Sequence, residues 1–107
     1  MGKLIYGQLV SAEFEDRLLA HLEIVITAKL RRAEGFVFSW KEEGGARPGR
    51  TTIWVHPSLP IVYKFSGSRT PSINRAWIEL LSQSASSAAG LRVLAEPAER
   101  HHDEFSH

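Results

Sequence analysis

Apolar and polar positions follow a period of two at the start of the chain and a helical period after residue 16. Leu4 to Tyr6 and Val10 to Phe14 are short β-prone runs around Gly7-Gln8, which predicts a hairpin whose second arm ends at Glu15-Asp16. From Asp16, a candidate N-cap, the residues Leu18, Leu22, Val25 or Ile26, and Leu30 recur at helical spacing until Gly35 offers a left-handed stop. The β-branched run Ile24-Val25-Ile26-Thr27 locally favours a strand, but helix-favouring residues on both sides predict that packing overrides it. Ile24 and Ala28 lie off the main stripe, so this first helix carries an unusually wide apolar arc.

Three further β-rich runs follow, at 36–40, 51–56 and 61–65, separated by the glycine-rich stretch Glu42–Arg50 and by Pro57-Ser58-Leu59-Pro60. Their short connections predict an antiparallel meander, with a mobile first loop and a stiff second one. Thr70-Pro71 reads as cap and first position of a second helix, with Ile73, Trp77, Leu80, Leu81 and Ala85 as its buried stripe up to Gly90. Leu91 to Ala95 reads as a last strand. The predicted fold is α+β, a single antiparallel sheet in the order ββαβββαβ with two helices packed on one face. One domain spans 1–97, and the aperiodic polar residues 98–107 form a flexible tail.

Composition narrows the function classes. The 107 residues hold one core, and 43% hydrophobic with 23% charged residues is the balance of an ordinary globular domain. Thirteen basic against twelve acidic side chains give a net charge of +1, so any polyanion site must be a local patch. The chain has no cysteine, which removes disulfides, thiolate metal sites and cysteine nucleophiles and suits a reducing compartment. No signal-like or membrane-spanning run is present, so the expected location is cytoplasmic, with no membrane partner.

The strongest anion-site candidate is the stretch Ser66 to Ser72 at the predicted start of helix two. Free N–H groups there would hold a phosphate, with Ser68, Arg69 and Arg75 contributing and Arg47 and Arg50 extending the patch from the glycine-rich loop. Lys29, Arg31 and Arg32 are explained by the helix-one dipole. The strand aromatics Phe36, Phe38, Trp40, Trp54, Tyr63 and Phe65 could form a base-stacking platform, but a domain this small needs them in its core. His21 and His56 have no neighbour at metal-ligand spacing, and His101, His102 and His107 lie on the tail. No nucleophile elbow or other catalytic constellation is present, and no cofactor is expected.

The strings Gly2-Lys3-Leu4-Ile5-Tyr6-Gly7, Asp16-Arg17, Leu19-Ala20-His21-Leu22, Lys29-Leu30-Arg31-Arg32, Phe38-Ser39-Trp40, Trp54-Val55-His56-Pro57-Ser58 and Asn74-Arg75-Ala76-Trp77 resemble a small actinobacterial family. That family is a domain of unknown function, and the resemblance covers residues 2 to about 97. Its members often carry the label ATP-dependent DNA ligase, and the resemblance implies that label here. The nearest match to the lysine motif of ligases is Lys41-Glu42-Glu43-Gly44, with Glu43 where aspartate belongs.

These readings give a non-catalytic module that binds a macromolecular partner, nucleic acid among the candidates, through the arginine-bearing loops. The alternative is homo-oligomerisation through the wide apolar arc of helix one.

Overall fold

A computed structural model describes residues 1–42 and 49–98. The chain runs β1 (Gly2–Tyr6), β2 (Val10–Phe14), α1 (Asp16–Arg31), β3 (Phe36–Glu42), β4 (Gly49–Val55), β5 (Ile61–Lys64), α2 (Arg75–Ala85) and β6 (Leu91–Arg92). The α+β class and the element order agree with the sequence pattern. The expected single sheet does not. There are two three-stranded sheets, ordered β2-β1-β5 and β4-β3-β6.

The division arises at residues 56–60. The Leu59 N–H closes a turn on the His56 carbonyl at 3.3 Å, and the Pro60 carbonyl accepts from Gly7 at 2.9 Å. The Tyr6 hydroxyl accepts the His56 N–H at 2.9 Å. A stiff turn with two prolines therefore hands the chain from β4 to β1 instead of folding it back on β4. β5 pairs antiparallel with β1, Ile61 facing Tyr6 and Lys64 facing Lys3. β6 joins β3 in parallel, Phe38 beside Leu91, so the second sheet is mixed.

Both sheets feed one core. Phe14 of β2 lies 6.1 Å from Phe38 and 5.9 Å from Trp40 between ring centroids, the second contact edge-on. Leu4, Leu19, Leu22, Ile26, Leu81 and Leu91 close the space between sheets and helices without measurable exposure. α1 lies against β1, α2 against β3 and β6, and the helices pack on each other. Burial of Val25 and Ile26 overrides their strand preference, as the flanking pattern requires. No helix among the described residues is long and apolar enough to cross a membrane.

Three helix boundaries differ from expectation. Glu15, not Asp16, holds the cap position of α1, and Asp16 instead accepts from Gly67 N–H at 2.9 Å and Ser66 N–H at 3.1 Å. These donors, Gly67 foremost, hold its carboxyl below the ordinary range. At the far end Ala33 takes the left-handed conformation (φ 57°) that was expected of Gly35. α2 starts at Arg75 rather than Pro71, because the Asn74 side chain accepts from Ala76 N–H at 3.0 Å and Trp77 N–H at 3.4 Å.

Candidate nucleic-acid interface

Alternation along β3 and β4 sorts their side chains onto two faces. Phe36, Phe38 and Trp40 turn inward, opposite Val55, Ile53 and Thr51. The outer face then carries Val37 beside Trp54, Ser39 beside Thr52, and Lys41 beside Arg50. Arg92 of β6 flanks Ser39 from the other side, in register. Thr52, Trp54, Lys41, Arg50 and Arg92 are exposed, and Trp54 has 58% of its surface open to solvent. With strands about 4.8 Å apart and about 3.3 Å per residue, the face spans roughly 10 Å from Arg92 to Thr52 and 13 Å from Arg50 to Trp54.

Among the described residues, the charges on this face are of one sign. Lys41, Arg50 and Arg92 make no ion pair with any described residue. Lys41 and Arg50 stand directly across from each other, an arrangement that costs stability between like charges. The neighbouring carboxylate, Glu42, belongs to the inner face, where its Oε1 accepts from Trp40 Nε1 at 3.2 Å and from the Thr51 hydroxyl at 2.6 Å. An overall charge of +1 is thus compatible with a locally cationic surface.

Gly35 makes room for the outward-pointing Trp54 ring. A Cβ at Gly35 would stand 2.5 Å from Cζ2 of the Trp54 ring, so the ring lies down over the bare backbone and keeps its other surface free. Gly90, at φ 84°, similarly lets the turn before β6 approach the Val37 carbonyl, where a Cβ would come within 2.5 Å.

The residues singled out from sequence are distributed differently. Arg50 stands on the outer face, and Arg47 lies outside the described residues. Ser68 and Arg69 line a hollow with Ala20, Phe65 and Glu23, whose carboxylate brings negative charge to it. Arg75 is exposed on the first turn of α2, where Asn74 already satisfies the first free amides. The helix-start phosphate cradle expected at Thr70-Pro71 therefore has no helix beneath it. Trp40, Phe36 and Phe38 are core residues as expected, and Trp54 is not. Of the side chains on this face, the sequence pattern offered Trp54 as a stacking candidate but favoured it as a core residue, offered Lys41 only as a ligase-type lysine, and did not point to Arg92.

A partly buried polar cluster fixes the end of the molecule where both helices begin. His21, fully buried, accepts the Asn74 N–H on Nε2 at 2.9 Å, so its Nδ1 carries the proton and donates to the Arg17 carbonyl at 2.7 Å. Its ring lies 4.5 Å from that of Trp77, whose Nε1 donates to the Leu94 carbonyl at 2.9 Å. Arg17 forks onto Glu96 at 2.8 and 2.6 Å, and the Asn74 amide donates to Glu96 at 2.9 Å and to the Pro97 carbonyl at 3.0 Å. Arg17 first, then Asn74, draw the Glu96 carboxyl down to a pKa of about 2. This cluster straps the segment after β6 along α2. His56 caps its own turn, its Nδ1 accepting from Ser58 N–H at 3.1 Å. No group of three metal-ligating side chains occurs among the described residues.

No curated protein matches the chain, and no solved structure matches it. A family model matches residues 1–96, and its description is that of a domain of unknown function.

Proposed function

The chain belongs to the family DUF7882, and from the outer face of its β4-β3-β6 sheet we propose that it is a non-catalytic module binding single-stranded nucleic acid. The observation that carries this reading is a half-exposed tryptophan on an open sheet face that also bears three cations without an ion pair among the described residues. Trp54 offers a base its flat surface, an interaction of about 1–3 kcal/mol per base that tolerates any sequence. Lys41, Arg50 and Arg92 take the phosphates, and the exposed Thr52 beside the buried Ser39 keeps the surface between them low enough for a strand to lie across it. A short run of two or three nucleotides fits such a face. Duplex binding is disfavoured, because the strand-borne tryptophan needs an unstacked base.

Arg69 and Arg75, and Arg47, are kept as a secondary path for the phosphate backbone. β6 runs parallel to β3 and the following segment reaches Asn74, so the Lys41 end of the face and the start of α2 lie toward the same end of the molecule. Anisotropy titration of a labelled hexanucleotide tests the reading. With three phosphates neutralised, log K should fall with log salt at a slope of about −2. Absence of binding at low salt, or a slope near zero, refutes it.

The ligase activity that the family resemblance implies would run through Lys41 as the adenylated lysine. Lys41 stands exposed on an open strand pair opposite Arg50, and no described residue encloses it in a nucleotide pocket. Incubation with ATP and magnesium should leave the intact mass unchanged, and a covalent adenylate would establish the ligase reading instead.

A further inference from the structure

The outer edge of β4 has no hydrogen-bond partner among the described residues, since its pairing is with β3 on the other side. It is the longest such edge among the described residues. β2 and β5, the edges of the other sheet, have five and four residues and β6 has two, against seven for Gly49–Val55. Natural edges are usually blunted by proline, by lysine or by a bulge. After Arg50 this one reads Thr51-Thr52-Ile53-Trp54-Val55, with none of them.

The geometry points to a second copy of this chain as the occupant, paired antiparallel along β4 about a two-fold axis at Thr52. Side chains of paired strands share a face only when their residue numbers sum to an even value here, and full overlap of Gly49–Val55 requires Thr52 to face its own symmetry mate. In that register Arg50 of each copy stands opposite Trp54 of the other, and Thr51 opposite Ile53. The pairing is self-complementary: a guanidinium with no ion pair among the described residues stands opposite a tryptophan that is 58% exposed, within reach of a cation–π contact across strands. Shifting the register by two residues in either direction breaks one or both of these pairs and shortens the ladder.

The result is a continuous six-stranded sheet, β6-β3-β4 followed by the same strands of the second copy in reverse. Its outer face joins both sets of Trp54, Lys41, Arg50 and Arg92 into one uninterrupted surface. This last consequence rests on the single-strand reading, whereas the pairing itself does not. A strand edge with one tryptophan buries less than the roughly 800 Å² per partner of a standard interface, so the dimer is a weak one, formed at micromolar concentrations and above.

The chain has no cysteine, so single cysteines report the register cleanly. Thr52→Cys should give a covalent dimer with a short bismaleimide at tens of micromolar, a range set by that weak affinity, while Val62→Cys on the other sheet should not. Thr52→Lys places two like charges face to face at the axis and should raise the dissociation midpoint in sedimentation equilibrium at least tenfold. Equal cross-linking of the two cysteine variants overturns the proposal. So does a monomer throughout the concentration range, or a dimer unaffected by Thr52→Lys but abolished by Ile24→Asp on α1. Because these measurements contain no nucleic acid, a hexanucleotide that binds a monomeric protein removes the dimer alone. A dimer that ignores the hexanucleotide removes the single-strand reading alone.

Discussion

Replacing Trp54 by alanine separates binding from folding more cleanly than any other single change. The ring is 58% exposed, so less than half of a side chain worth about 150–250 Å² is covered, and at about 25 cal/mol per Å² its removal costs roughly 2 kcal/mol of stability. A domain of ordinary stability, about 5–15 kcal/mol, stays folded after such a loss. Binding loses the stacking contribution of about 1–3 kcal/mol, a 5- to 150-fold weaker Kd. The assay is anisotropy with a labelled hexanucleotide at fixed low salt, beside a thermal melt of the same preparation. Trp54→Phe should recover part of the affinity, since a smaller aromatic face remains. The other two tryptophans, Trp40 and Trp77, are buried, so fluorescence quenching on titration should disappear in Trp54→Ala. A variant that stays folded and binds with unchanged Kd would refute the stacking argument.

Other perturbations follow from the same geometry. Asn74→Ala removes the cap of α2, leaving the Ala76 N–H without its acceptor and Glu96 and the Pro97 carbonyl without the amide donor, and should cost about 2 kcal/mol in denaturant unfolding, near the top of the range for a lost cap. The Glu96 carboxyl is held at about 2 against an ordinary 4.5, a depressed value, so its contribution to stability is present above pH 4.5 and is lost as pH falls toward 2. Glu96→Gln should therefore flatten the acid limb of a melting-temperature profile between those values. Gly35→Ala drives a methyl group into the Trp54 ring and should lower affinity while the melt changes little, because the ring has open solvent into which to move.

The local parts of this fold were legible in the sequence and the long-range pairings were not. The first hairpin and α1 announce themselves through periodicity over neighbouring residues, and even Ile24-Val25-Ile26-Thr27 is overruled by its flanks. The fate of β5 is decided elsewhere. Its alternation is the same whether it pairs with β4 or β1, and the choice falls to the His56–Pro60 turn and the Tyr6 hydroxyl, fifty residues upstream of its partner. Thr70-Pro71 has the right local chemistry for a helix start, while the part-buried bonds of Asn74 to Glu96 and Pro97 favour a later cap. The orientation of Trp54 was within reach. Ile53 and Val55 turn inward, so alternation alone sends Trp54 outward beside Arg50 and Thr52. The assumption that a small domain needs every aromatic in its core hid that. Arg92 was invisible as a site residue, since its place beside Ser39 depends on a parallel pairing that no local pattern encodes.

Backbone and side-chain chemical shifts recorded during titration with a single-stranded hexanucleotide place the ligand directly. Perturbations should concentrate on Val37, Ser39, Lys41, Arg50, Thr52, Trp54 and Arg92 and spare Ser11, Glu13 and Val62 on the outer face of the other sheet. Shifts confined to Ser66–Arg75, or no shifts at all, would contradict the assignment of the β4-β3-β6 face as the binding surface.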